Sequence, residues 1–126
     1  MIRELIFVAL GGAIGASLRH GTGVYLVARL GVAAWPWWLI GVNVFGSFLI
    51  GMLWGAMQDG RTAPIWGPFL ATGILGGFTT FSAFSLDVIR LAQEGRVEAA
   101  GAYVVASVVF SIFAAYLGLI LIRALS

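Results

Sequence analysis

Long apolar runs separated by short polar turns organise this chain from end to end. Apolar residues dominate 4–29, 36–57, 65–92 and 97–123, and each run exceeds the length of about 20 residues that a helix needs to cross a bilayer. The intervening turns read GVAAWP, QDGRTAP and QEGRVE, with glycine and proline where helices should stop. The pattern therefore predicts an all-α integral membrane protein, one domain over residues 1–126 with four transmembrane helices. It fails in one place. Between Gly73 and Ser85 the third run reads GILGGFTTFSAFS, too rich in glycine and hydroxyls for an ordinary membrane helix. Irregular backbone at membrane depth survives only where protein buries it or where it lines a watery cavity, so this stretch suggests an ion or solute pathway.

Polar residues inside the other runs follow helical spacing. Asn43, Gly46 and Ser47 share one face of the second helix. A carboxamide at that depth needs partners, and its amide hydrogens suit either a neighbouring helix or an anion. On the fourth helix Tyr103, Ser107 and Ser111 recur every four residues and form a polar stripe, although a serine there can also bond back to a carbonyl one turn earlier. Phe78, Phe81 and Phe84 are spaced by threes among Thr79, Thr80, Ser82 and Ser85. Aromatic stripes commonly serve packing, but a phenyl ring has a positive edge that can face an anion.

Composition narrows the class. Of 126 residues, 61% are hydrophobic and only 10% charged, which leaves no material for a soluble catalytic domain. The chain has no cysteine, one histidine and no cluster of nucleophile, base and orienting group, so no catalytic residues and no enzyme activity are expected. No basic patch suits nucleic acid. The first run lacks a convincing small-residue cleavage site and reads as a span rather than a removable leader. All basic residues are arginine. With four spans, Arg3, Arg61 and Arg123 fall on one side and Arg29, Arg90 and Arg96 on the other, a balance that favours neither orientation and leaves an antiparallel dual-topology homodimer open. Arg19 lies within the first span, where it can snorkel, tie helices together or attract anions to a vestibule. His20 beside it has no partner spacing that suggests a metal site. Gly11 with Gly15, Gly51 with Gly55, and Gly73 with Gly77 mark close helix packing.

Four stretches carry a resemblance to a known family: GGAIGASLRH at residues 11–20, GVNVFGSFLIG at 41–51, GILGGFTTFSAFSLD at 73–87, and the ladder of Tyr103, Ser107 and Ser111. Together they resemble the small fluoride channels of the Fluc (CrcB) family over the whole chain. The resemblance implies an antiparallel dual-topology homodimer in the bacterial inner membrane, with two fluoride pores and third helices broken at mid-membrane. By similarity, Phe81 and Phe84 are the pore phenylalanines, Asn43 a pore-lining donor, and Tyr103, Ser107 and Ser111 the polar track. Arg19 and Ser82 take vestibule or structural places. The carbonyls of Gly76 and Thr79 would hold a structural sodium ion (Na+) on the twofold axis. One departure stands out: where the family often reads Gly-Thr before the asparagine, this chain has Trp38 and Leu39.

The expected activity is passive export of cytoplasmic fluoride. Two alternatives share the size of the chain. A dual-topology drug-proton exchanger needs a carboxylate deep in the membrane; Glu4, Asp59, Glu94 and Glu98 lie near ends or loops, and Asp87 lies past the glycine break towards the end of its span. A non-conducting membrane assembly subunit would use the glycines and hydroxyls for packing alone.

Overall fold

A computed structural model describes residues 1–32 and 35–126; Ala33 and Ala34 of the first expected turn lie outside the described residues. Helix α1 runs Ile2–Leu30 and α2 runs Trp37–Gln58. The third hydrophobic run divides. Its first part, α3, is π-wound over Gly67–Leu75 and closes in one α turn at Gly76–Phe78. After a break at Thr79–Phe81 the chain resumes as α4, Ser82–Gln93, and α5 spans Val97–Ala124. No strand occurs among the described residues. Trp37–Gln58, Gly67–Gln93 and Val97–Ala124 are each long and apolar enough to cross a membrane. Helix α1 has the length, but Arg19 and His20 interrupt its apolar character.

The turns form where glycine permits them. Gly60 and Gly95 hold φ of 69° and 78°, a left-handed conformation that glycine adopts without the Cβ penalty. The π winding of α3 was not expected from composition. The Gly76 N–H reaches back five residues to the Ala71 carbonyl, and such wide turns are uncommon outside functional regions.

Two helix pairings build the body. Helix α1 lies along α3, and α2 lies along α5. Both seams depend on missing side chains. A Cβ on Gly11 or Gly15 would collide with the backbone of Phe69, Ile74 or Phe78, and Gly73 and Gly77 meet α1 in return. Gly51 and Gly118 similarly admit the backbones of Ala115 and Phe48. The glycine pairs are therefore intrachain packing positions, with backbones close enough for dense van der Waals contact. Helix α4 folds onto α5 around a core of Leu39, Phe84, Leu91, Ala100 and Tyr103.

Candidate functional site

The break is held open by a side chain. The Thr80 N–H donates to Asn43 Oδ1 at 2.9 Å, while Asn43 Nδ2 donates to the Thr80 carbonyl at 3.2 Å. An uninterrupted helix would return that N–H to the Gly76 carbonyl one turn earlier, so α2 diverts the donor and stops α3. Thr79 takes an extended conformation, with φ −85° and ψ 157°. Gly46, one turn after Asn43, leaves room for the Thr79 methyl group. Asn43 and Gly46, which share a face of α2, thus cradle the break. After it, Thr80 Oγ1 accepts the Ala83 N–H at 3.2 Å, and Ser85 Oγ donates to the Phe81 carbonyl at 2.9 Å.

A cavity of about 430 Å³ opens beside the break, lined by Asn43 and Ser47 from α2, Gly76, Thr79, Thr80, Phe81 and Phe84 from the broken helix, and Ser107 and Ser111 from α5. Five of the six residues expected along a pore meet here. Asn43 spends one amide hydrogen on Thr80 and keeps the other. Ser107 Oγ is buried and has no hydrogen-bond partner among the described residues. A buried hydroxyl in that state costs free energy unless something else engages it. The phenyl rings differ in setting: Phe81 is 77% exposed in the single chain and Phe84 is buried, with centroids 5.4 Å apart.

Tyr103 is the sixth residue, and it does not line the cavity. It is fully buried behind Phe84, stacked on that ring at 5.4 Å, with Trp37 edge-on at 5.8 Å. Its hydroxyl donates to Asp87 Oδ2 at 3.0 Å. Asp87 was missed as a site residue, although a signal existed. Asp87 and Tyr103 lie eight residues either side of Gly95, which places them level across the α4–α5 turn.

A second cavity, about 480 Å³, brings together Arg19, His20, Trp38, Leu39, Thr80 and Ser82. Both expected vestibule residues are present, and Thr80 borders both cavities. Arg19 makes no ion pair among the described residues. Leu39, the departure from the family pattern, is almost fully buried there, one turn before Asn43. Gly76 and Thr79, the expected sodium ligands, both border the first cavity, beside the break in regular helical structure.

Comparison with known proteins shows the family. The family described as CrcB-like protein, Camphor Resistance (CrcB), matches residues 6–119. The fluoride-specific ion channel FluC of Rhizobium meliloti (strain 1021) is 46% identical, covering 98% of this chain and 99% of its own. That of Hyphomonas neptunium is 47% identical with 94% of each covered, and that of Chelativorans sp. (strain BNC1) is 49% identical with 97% and 98% covered. A match over nearly the whole chain, with relatives of the same length, places this protein in the CrcB (Fluc) family of ion channels, which are not enzymes.

Proposed function

We propose that this protein is a fluoride channel of four transmembrane helices, α1 included, that exports cytoplasmic fluoride passively. The observation that carries the reading is the cavity in which the remaining Asn43 amide hydrogen, the unpartnered Ser107 hydroxyl, Ser111 and the Phe81 and Phe84 rings converge. Fluoride is small and strongly hydrated. N–H, O–H and the positive ring edges can replace part of its water shell, and no fixed positive charge lines the cavity to trap it. Arg19 raises the anion concentration in the second cavity, and Thr80 borders both that vestibule and the first cavity. Tyr103, held by Asp87, supports Phe84 from behind.

The proposed assembly is an antiparallel homodimer with two pores in a bacterial inner membrane. Phe81 supports it, since an aromatic ring so exposed at the edge of the cavity invites a second chain to complete the wall. The Gly76 and Thr79 carbonyls suit a hard cation such as sodium: they are neutral oxygen donors, and a twofold copy doubles their number. The ion would hold the two breaks together. Asp87 offers little to the exchanger alternative, because it borders neither cavity and is bonded to Tyr103.

The test is anion efflux from liposomes containing purified protein, loaded with fluoride or chloride and released by a potassium ionophore. Rapid fluoride loss with chloride retained is expected. Absence of fluoride loss from vesicles carrying folded protein would overturn the proposal.

A further inference from the structure

A third cavity, about 400 Å³, lies on the α2–α5 seam away from the break, lined by Ile50, Gly51, Trp54, Ala115, Tyr116 and Leu119. Its lining is apolar, and Trp54 and Tyr116 are more than half exposed. Seven residues beyond Tyr116, on nearly the same face of α5 and roughly 10 Å along its axis, stands Arg123. Its guanidinium donates to the neutral Gln58 Oε1 at 2.9 Å, which bridges α2 and α5 at the end of the groove. Among the described residues Arg123 has no acidic partner. The neighbouring Arg61 is bonded to the Ile122 carbonyl at 3.3 Å and paired with Asp59 at 3.4 Å.

We propose that this groove binds one anionic phospholipid, with an acyl chain along Ile50, Trp54, Tyr116 and Leu119 and its headgroup at Arg123. The occupant follows from two features together. An apolar channel between two membrane helices takes hydrocarbon, and an unneutralised arginine at its mouth selects negative charge, worth about fivefold in affinity for a single arginine near the surface. The groove does not border the cavity beside the break, so the inference stands whether or not the chain conducts fluoride.

Native mass spectrometry of the purified protein, exposed to equal amounts of dioleoyl phosphatidylglycerol and dioleoyl phosphatidylcholine, reads the preference directly. Wild type should retain phosphatidylglycerol severalfold over phosphatidylcholine. Arg123→Gln should abolish the preference, and Trp54→Ala should weaken retention of both lipids, each variant eluting as the same oligomer as wild type. Equal retention by wild type, or an undiminished preference in Arg123→Gln, would overturn the proposal. So would a Trp54→Ala protein that loses its oligomeric state or its fluoride efflux while its lipid retention stays unchanged, since the groove would then belong to the subunit interface or the conduction path. If a variant fails to fold, the salt dependence of wild type decides: raised ionic strength should erase the preference for phosphatidylglycerol, and persistence would count against it.

Discussion

One carboxamide does two jobs at residue 43, and substitution can separate them. Asn43→Asp keeps an acceptor for the Thr80 N–H but loses the Nδ2 donor and sets a carboxylate against an anion. Fluoride efflux from liposomes should fall by about tenfold or more, since hydrogen bonds to charged groups contribute about 1.5–3 kcal/mol; wild-type rates in folded protein would remove Asn43 from the lining. Ser107→Ala asks the complementary question. The hydroxyl has no partner among the described residues, so its removal should leave thermal stability unchanged or slightly raised while efflux drops. A loss of stability with unchanged efflux would make it a packing residue. Periodicity made Asn43, Ser107 and Ser111 legible as lining candidates, because offsets of three and four define a face. It could not separate Tyr103 from that stripe. Tyr103 shares the spacing, but the approach of α4 buries it and turns its hydroxyl to Asp87.

Among the elements, the glycine seams set the distances on which the cavities depend. Gly15→Ala would drive a methyl group into the α3 backbone at Ile74 and Phe78, where nothing flexible can yield. Overpacking of this kind costs about 1–3 kcal/mol, to be read as a lower midpoint of thermal unfolding in detergent. Gly101→Ala is the opposite case: its Cβ meets open space, and helix propensity alone should stabilise α5 by up to about 1 kcal/mol. Equal effects at the two positions would refute the assigned seam. The break itself was readable from composition, since glycine and hydroxyl residues cluster at 73–85. The π winding before it was not, because it has no local composition signal.

For the whole molecule, the balance of arginines makes topology the test of the proposed antiparallel dimer. The chain has no cysteine, so Gln93→Cys supplies a single reporter at the end of α4. In cells an impermeant maleimide should label about half of it before permeabilisation, and complete or absent labelling would exclude dual topology. Replacing sodium with N-methylglucamine should lower the unfolding midpoint of the assembled protein if the Gly76 and Thr79 carbonyls hold the ion. An unchanged midpoint would remove the ion from the proposal.

Local chemistry alone determined the apolar segments, their turns at Gly60 and Gly95, the place where the third helix fails, and the faces on which Asn43, Ser107 and Ser111 lie. Hydropathy and helical phase are properties of neighbouring residues, so one strand of sequence suffices to read them. Tertiary structure decided the partners. Asn43 could have bonded any exposed backbone group, and it took Thr80; Tyr103 took Asp87; Gly11 and Gly15 took the glycine face of α3. Each choice joins residues far apart in the chain, and only the packed helices bring them within bonding distance. The same packing left Ser107 beside the cavity without a partner among the described residues, and that unmet hydroxyl turns a polar stripe into a candidate anion site.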